Sequence, residues 1–319
     1  MRAIRVHEFG GPEVLRLEEV AKPVAGPGEV VVAVKAIGVN PVETYLRSGS
    51  NPALPRPYTP GLDAAGIVES IGDGVTNLRL GDRVYTSGAK TGSYAEFALV
   101  AADQAHRIPE KISFEQAAGL NIPYATAYRA LFQKAHAQPG ETVFIHGASG
   151  GVGLAAIQWC KIHGLRVIGT AGTDEGREVA LREGADHILN HRAPDYLNEL
   201  RRLTDGRGPD VILEMLSNIN LGKDLEAIAT NGRIVVIGSR GKVEINPRDA
   251  MAREASIFGL MLFNATAAEK RAIHAAIAAG LENGGLRPIV GKRFPIADAA
   301  KAHEAVLAPG AYGKIILIP

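Results

Sequence analysis

Short apolar segments alternate with amphipathic ones between residues 142 and 262, and this alternation constrains the fold more than any other feature of the sequence. The apolar segments predict strands at TVFIHG (142–147), LRVIGT (165–170), DHILN (186–190), DVILEM (210–215), RIVVIG (233–238) and SIFGLML (256–262). The segments between them predict helices at 153–164, 174–184, 193–204 and 220–230. Apolar strands that alternate with helices form a parallel sheet with helices on both faces. We therefore predict an α/β domain built on a doubly wound parallel sheet.

The residues before about position 115 follow a different pattern, with short strands separated by turns. Strands are predicted at 1–6, 29–39, 64–72, 82–86 and 93–100, with one short helix in NPVETYLRSG (40–49). This pattern is typical of a compact, partly open β-barrel. Because 319 residues exceed what one ordinary core holds, two domains are expected. Helices at 267–284 and 297–308 follow the α/β region, and a last strand, GKIILIP, is expected to rejoin the first domain.

Composition and charge exclude several classes of protein. The net charge of +1 provides no global attraction to nucleic acid or to an anionic membrane, so neither partner is expected. No segment approaches the roughly eighteen apolar residues of a membrane span. Cys160 is the only cysteine, which excludes an intramolecular disulfide and a cysteine-based zinc cluster. Together these features predict a cytoplasmic protein.

The turn between the first strand and the first helix of the α/β region reads VFIHGASGGVGL (143–154). Its glycines at 147, 150 and 153 are spaced as GxxGxxG, not as GxGxxG. Such glycines let the backbone turn sharply and approach a pyrophosphate, while the N terminus of the following helix offers free N–H groups and a partial positive charge. In a series of strand–helix units the turn predicts a dinucleotide site, with Ser149 as an additional hydroxyl donor.

The end of the second strand indicates which dinucleotide is bound. NAD-specific sites usually place Asp or Glu there to bind the ribose 2′-hydroxyl, whereas this sequence has Ala171. The absence of a carboxylate that would repel a 2′-phosphate favours NADPH. Asp174 and Glu175 are interpreted as residues of the first turn of the next helix. Three basic side chains are candidates for binding the phosphate: Arg177, His191 and Arg192. The sequence does not decide between the two arginines.

Distinctive runs of residues occur almost from end to end of the chain, among them GVNPVETYLRSG (38–49), PYTPGLDAAGIVESIGDGV (57–75), HGASGGVGLAA (146–156), EMLSNINL (214–221) and EINPRDAMAREASIFG (244–259). In these runs the chain resembles the zeta-crystallin-like NADPH:quinone oxidoreductases of the medium-chain dehydrogenase/reductase superfamily. The resemblance implies a GroES-like catalytic β-barrel and an inserted Rossmann domain that binds NADPH. We place the catalytic domain at 1–123 and 264–319, and the Rossmann domain at 124–263.

The resemblance also implies which residues contact NADPH. Tyr45 and Asn220 are implied at the cleft that holds cofactor and substrate. The other implied contacts are Ser149, Gly150, Gly151, Val152, Gly172, His191, Ile237, Gly238, Ser239, Arg240, Leu260, Met261 and Leu262. Among them, Gly172 and His191 belong to the 2′-phosphate end, and residues 260–262 to the nicotinamide side.

The sequence departs from the zinc-dependent members of the same superfamily. Those enzymes carry a GHE motif and a catalytic cysteine, whereas the corresponding residues here are Gly61, Leu62 and Asp63, and the segment GVNP contains no cysteine. The nine histidines show no ligand cluster in the sequence. No metal is therefore expected, and without a Lewis acid the acceptor has to be electrophilic already.

The expected reaction is the zinc-independent reduction of a quinone, or of another conjugated carbonyl, by NADPH. Asn40 and Tyr45 are the candidates for orienting the acceptor carbonyl, and Tyr58 and Tyr128 are weaker candidates. The sequence does not decide between hydride transfer and one-electron transfer.

Two alternative functions remain open at this point. The same scaffold serves NADPH-dependent enone or alkenal reductases, and some relatives act as lens crystallins or bind AU-rich RNA without catalysis. Self-association is expected in either case. The strand SIFGLML (256–262) is expected to extend the sheet across a two-fold axis, giving a homodimer or a homotetramer.

Overall fold

The structure, a computed structural model, describes residues 1–319. The chain divides into two compact units, one formed by Met1–Ile122 with Ile277–Pro319 and the other by Pro123–Ala276. The domain limits expected from the sequence are 123/124 and 263/264, and the two units divide at 122/123 and 276/277. Residues 265–276 belong to the second unit, in which the Glu269 carboxylate forms an ion pair with Arg129 at 2.8 Å.

The strands, in chain order, are β1 (Arg2–Arg5), β2 (Arg16–Glu19), β3 (Glu29–Val39), β4 (Asp63–Ile71), β5 (Arg83–Ser87), β6 (Phe97–Ala101), β7 (Ala105–Arg107), β8 (Thr142–Ile145), β9 (Arg166–Thr170), β10 (His187–Leu189), β11 (Val211–Glu214), β12 (Arg233–Val236), β13 (Ser256–Gly259), β14 (Val290–Pro295) and β15 (Lys314–Ile318). The helices are α1 (Pro41–Arg47), α2 (Phe114–Ala117), α3 (Thr126–Tyr128), α4 (Gly151–Ile162), α5 (Asp174–Arg182), α6 (Tyr196–Leu203), α7 (Ser217–Ala227), α8 (Pro247–Arg253), α9 (Ala267–Glu282) and α10 (Ala299–Leu307). Turns of π-helix flank α3 at Asn121–Ala125 and Arg129–Lys134. No helix combines the length and the apolar composition that crossing a bilayer requires.

The second unit is organised around a six-stranded parallel sheet in the order β10-β9-β8-β11-β12-β13. This is the strand order of the Rossmann fold, and it confirms the predicted doubly wound α/β domain. The core on one face contains Phe144, Ile168, Ile212 and Ile234, each from a different strand and each fully buried. Because the central strands β8, β9, β11 and β12 are largely buried, their residues are mostly apolar in succession, which is why the sequence pattern identified them.

The first unit contains a seven-stranded sheet in the order β14-β15-β3-β4-β5-β7, to which β6 adds by pairing with β3. The long strand β3 is central, since it pairs antiparallel with β4, β6 and β15. The pairing of β15 with β3 confirms that the last strand rejoins the first domain. A small sheet of β1 and β2 completes the unit.

Helix α8 and strand β14 are among the elements that were not predicted. Helix α8 has no buried residue, so it lacks the apolar periodicity that reveals most helices. Its only local signal is the pair Asn246-Pro247, in which the Asn246 side chain accepts a hydrogen bond from the N–H of Arg248 at 3.1 Å. Strand β14 reads VGKRFP and is mostly exposed, so it shows no apolar run either.

Candidate functional site

The glycine turn joins β8 to α4, as the sequence predicts. Gly147 has a φ of +61°, a left-handed conformation that favours glycine. A Cβ atom on Gly153 would lie 2.4 Å from the carbonyl oxygen of Gly147, so the helix packs against the turn only because position 153 has no side chain. Gly150 is the residue before the first turn of α4, whose leading N–H groups have no acceptor within the helix. The turn therefore offers an anion a close backbone approach and a partial positive charge.

The residues expected to contact the cofactor follow the carboxyl ends of the six parallel strands. They are Ser149–Val152 after β8, Gly172 after β9, His191 after β10, Asn220 in the helix after β11, Ile237–Arg240 after β12, and Leu260–Leu262 after β13. The carboxyl ends of parallel strands lie at one edge of a sheet, and open α/β sheets bind their ligands there. The fold thus brings every predicted contact except Tyr45, which lies on α1 of the first unit, to a single edge of the second unit.

Two basic side chains lie beside the end of β9. A Cβ atom on Gly172 would be 2.9 Å from the ring of His191 and 3.2 Å from Nε of Arg192. Arg177, by contrast, forms an ion pair with Asp174 on its own helix. Partial burial lowers the pKa of His191, and the charge of Arg192 lowers it further, so a free site holds a neutral imidazole beside a guanidinium at pH 7. His191 and Arg192 are therefore the basic pair that the fold places next to Gly172.

The residues between β9 and α5 behave as the sequence predicts in all but one respect. Asp174 and Glu175 occupy the first turn of α5, and the Thr173 hydroxyl caps that helix by accepting the N–H of Gly176 at 3.1 Å. Ala171, however, is only 1% exposed. A larger side chain at this position consequently needs additional space in a buried environment as well as a hydrogen-bond partner.

The remaining cofactor candidates surround the ends of β11 and β12. Asn220 donates its Nδ2 to Oε1 of Glu214 at 3.3 Å. A Cβ atom on Gly238 would lie 2.4 Å from the carbonyl oxygen of Met215, so the two loops touch through backbone. Strand β13 ends at Gly259, before the predicted limit, and Leu262 begins a single helical turn.

Asn40, in the first unit, has both sides of its amide engaged. Nδ2 donates to Oε1 of Glu43 at 3.1 Å and to Oδ2 of Asp63 at 3.0 Å, while Oδ1 accepts from the Lys314 ammonium. Asn40 is 2% exposed and caps the N terminus of α1. These contacts fix the start of α1, and they leave the Asn40 amide no free N–H for an acceptor molecule.

The contacts of Asn40 belong to a larger buried polar network. Asp63 accepts from the Lys314 ammonium at 2.8 Å and from Nδ2 of Asn121 at 3.0 Å. Glu43 accepts from the Tyr94 hydroxyl at 3.1 Å, and that hydroxyl also contacts Nε2 of His303 at 3.1 Å. Burial raises the pKa of Glu43 to about 7, and the charge of Lys314 opposes that rise.

The three candidate tyrosines have different environments. Tyr45 is half-buried on α1, and its hydroxyl forms no hydrogen bond. The Tyr58 hydroxyl is buried and also has no partner. Tyr128 packs edge-on against Phe132 and Trp159, with ring centroids 5.0 and 5.1 Å apart, so its ring is part of an aromatic cluster.

The fold also assembles a group that the sequence did not reveal. His146, Glu214 and Asp224 are buried together in the second unit, with one nitrogen or oxygen of each within 4.8 Å of the others. The sequence pattern of the histidines gave no sign of this buried group. His146 directly follows β8, Glu214 ends β11 and Asp224 lies on α7, and the pairing of β8 with β11 brings the histidine to the two acids.

Comparison with known proteins identifies the family. Residues 151–278 match the profile described as zinc-binding dehydrogenase, and residues 26–110 match that of the alcohol dehydrogenase GroES-like domain. A quinone oxidoreductase of Homo sapiens is 49% identical over 321 residues, which cover 100% of this chain and 98% of the relative. The chain belongs to the zeta-crystallin-like quinone oxidoreductases.

Solved structures share the fold of this quinone oxidoreductase over its full length. The Escherichia coli quinone oxidoreductase complexed with NADPH has a TM-score of 0.90 at 32% identity, covering 100% of both chains. A structure described as an NAD-dependent alcohol dehydrogenase has a TM-score of 0.93 at 31% identity, with the same coverage. Because both descriptions occur on one fold, the preference for a cofactor has to be argued from individual residues.

The matched profile is named for zinc, but the residues of this quinone oxidoreductase do not fit that ion at the GHE position. Leu62 offers no ligand atom, and its backbone N–H donates to Glu43 at 3.1 Å. The Asp63 carboxylate is paired with Lys314, whose ammonium already supplies a positive charge. The Asn40 amide is committed to the same network. No step of the reaction is therefore assigned to zinc.

Proposed function

We propose that this protein is a zinc-independent reductase that uses NADPH to reduce quinones. Its family membership supports the reaction, since a relative described as a quinone oxidoreductase is 49% identical along the whole chain. The observation that carries the cofactor assignment is the basic pair His191 and Arg192 beside Gly172, at a strand end where Ala171 replaces an acid. A dianionic 2′-phosphate finds the positive Arg192 guanidinium and the His191 imidazole there, and no repelling carboxylate.

The residues of the second unit hold the nucleotide by backbone and charge. The bound NADPH supplies the reducing equivalents. The N–H groups at the start of α4, from Gly151 onward, bind its pyrophosphate, with the Ser149 hydroxyl beside them. Asn220, the loop 237–240 and residues 260–262 contact the other half of the dinucleotide. Because Gly238 has no Cβ atom, its loop lies directly against the backbone of Met215 and leaves space for the nucleotide.

Residues of the first unit orient the acceptor molecule. The Tyr45 hydroxyl, which no other side chain uses, donates to a carbonyl oxygen of the quinone. Asn40 contributes indirectly, because it fixes the start of α1, the helix that carries Tyr45. A quinone needs little further acid catalysis, because its reduced oxygens are stable anions that water protonates.

A steady-state screen of NADPH oxidation over ortho-quinones and small enones tests this proposal. We expect quinone turnover to exceed enone turnover and to survive treatment with a metal chelator. The variant Tyr45→Phe, which removes one hydrogen bond worth about 1 kcal/mol, should lower kcat/KM for quinones roughly fivefold at an unchanged melting temperature. Preferential enone turnover would instead indicate an alkenal reductase. AU-rich RNA binding that NADPH displaces, without any turnover, would indicate a non-catalytic protein.

We further propose a homodimer or homotetramer formed through β13. This strand lies at the edge of the parallel sheet, so one side of its backbone has no partner strand. Large apolar side chains in and after it are exposed: Ile257 by 41%, Met261 by 55% and Phe263 by 49%. A two-fold axis along this edge pairs the strands of two copies and covers these side chains. Sedimentation as a monomer at micromolar concentration would rule this out.

A cytoplasmic location is proposed as well, in keeping with the single, buried and unpaired Cys160 thiol. Burial raises the pKa of this thiol, which keeps it protonated and unreactive. Recovery of the native protein in a non-cytoplasmic cell fraction would contradict the assignment.

A further inference from the structure

Two carboxyl groups and one imidazole lie in direct contact within the second unit. Nε2 of His146 is 2.7 Å from Oδ1 of Asp224 and 3.2 Å from Oε2 of Glu214. Glu214 and Asp224 are 0% exposed and His146 is 4% exposed, so water does not hydrate the cluster freely. No lysine or arginine pairs directly with either carboxyl group. Two ionised carboxylates in such a place would be costly.

The hydrogen bonds of the cluster are complete only if one carboxyl group is protonated. Oε2 of Glu214 and Oδ2 of Asp224 are both buried and accept no hydrogen bond. A neutral imidazole protonated on Nε2 provides one hydrogen, which the shorter contact directs to Asp224. A proton carried by Glu214 and donated to Asp224 satisfies the remaining oxygens. The cluster then holds one negative charge instead of two.

Glu214 connects this cluster to the nucleotide-binding edge. Its other oxygen, Oε1, accepts from the backbone N–H of Leu216 and from Nδ2 of Asn220, at the start of α7. His146 immediately precedes Gly147 of the glycine turn. We propose that Glu214 is a positioning residue that fixes the start of α7, and with it Asn220, through a proton shared with Asp224. The inference rests on the proposed contact of Asn220 with NADPH.

The charges around the cluster support a proton held near neutral pH. Burial raises the pKa of Glu214 and that of Asp224 to about 7, and burial lowers the pKa of His146. The other groups that face it are Lys223 on α7, which lowers the pKa of Asp224, Tyr196 on α6, and His191 after β10. Because the carboxyl pKa values are raised in the fold, the protonated cluster is favoured at low pH. Its contribution is lost as the pH rises through about 7.

The test compares NADPH binding by the native protein and by Glu214→Gln, with nucleotide fluorescence as the readout. Glutamine mimics a protonated glutamate, since its oxygen accepts from Leu216 and its Nε2 donates to Asp224 whatever the pH. Between about pH 6 and about pH 9, we expect the Kd of the native protein to rise up to about tenfold relative to that of Glu214→Gln, the equivalent of about one pKa unit. Titration of the 2′-phosphate affects both proteins equally and cancels in the ratio.

Several results would overturn the inference. Parallel pH profiles for the native protein and Glu214→Gln would show that no shared proton supports binding. Glu214→Gln binding as weakly as Glu214→Ala at every pH would show that a charged carboxylate is needed. Stoichiometric zinc bound by the native protein and lost in Glu214→Gln would make the cluster a metal site. Because the readout is binding, it is independent of quinone turnover, whose absence would count against the proposed function alone.

Discussion

Replacement of Lys314 by methionine is expected to destabilise the protein by about 3–5 kcal/mol, the cost of leaving one member of a buried ion pair without its partner. The Lys314 ammonium contacts Oδ2 of Asp63 at 2.8 Å, and the side chains are 5% and 1% exposed. It also donates to Oδ1 of Asn40. Methionine fills a similar volume without the charge, so the variant leaves the Asp63 carboxylate buried beside Glu43 with no nearby cation. In a chain of this size the melting temperature should fall by on the order of 10 °C.

Two control variants separate the buried charge from a general effect of losing a lysine. Lys301→Met removes an exposed ion pair with Asp298, 2.9 Å long and 68% exposed on the lysine side, and should cost less than about 1 kcal/mol. The double variant Asp63→Asn with Lys314→Met removes both buried charges, and it should be more stable than Lys314→Met alone. A melting temperature of Lys314→Met equal to that of the native protein would show that the pair contributes nothing.

The parallel sheet and its nucleotide edge could be predicted because their signals are local. Strands β8, β9, β11 and β12 are largely buried, so each reads as an apolar run, and the turns between the strands contain glycine or capping residues. The glycine at position 153 of the turn has a steric explanation, since a Cβ atom there would collide with Gly147. Parallel connectivity then brings the strand ends to one edge without further information.

The buried polar clusters could not be predicted, since their members meet only after the fold has formed. Lys314 and Asn40 are 274 residues apart in sequence and meet because β15 pairs with β3. His146 and Asp224 are 78 residues apart in sequence and meet because β11, the strand that leads into α7, pairs with β8. One signal was nevertheless available. A charged or titratable residue at the end of an apolar strand, such as Glu214 in VILEM, is buried at a cost and therefore needs a partner.

Asn40 shows how side-chain contacts refine a role assigned from a motif. The sequence placed it with Tyr45 as a residue that orients the acceptor. Its amide is instead shared among Glu43, Asp63 and Lys314, and we propose that it contributes by fixing the start of α1. The same accounting of hydrogen bonds favours Arg192 over Arg177 as the partner of the 2′-phosphate, because Arg177 is already paired with Asp174.

The preference for NADPH is expected to be decided within a few ångströms of the end of β9. Ala171→Asp introduces a carboxylate where NAD-specific enzymes bind the ribose 2′-hydroxyl, and it places a negative charge beside the 2′-phosphate of NADPH. A charge-assisted hydrogen bond is worth roughly 1.5–3 kcal/mol. The ratio of kcat/KM for NADPH to that for NADH should therefore fall by at least about tenfold, and repulsion of the phosphate adds to this change.

The burial of Ala171 determines how this experiment must be controlled. At 1% exposure, any larger side chain perturbs the strand end whatever its charge, so Ala171→Asp has to be compared with Ala171→Asn, which has the same shape and no charge. Only the cofactor ratio should separate the two variants, because the strain is common to both. Arg192→Ala should weaken the binding of NADPH without changing that of NADH, whereas Arg177→Ala should leave the binding of both cofactors nearly unchanged. Equal ratios for the aspartate and asparagine variants, or a native protein that prefers NADH, would mean that the 2′-phosphate lies elsewhere. His191 and Arg192 would then be ordinary surface residues beside Gly172.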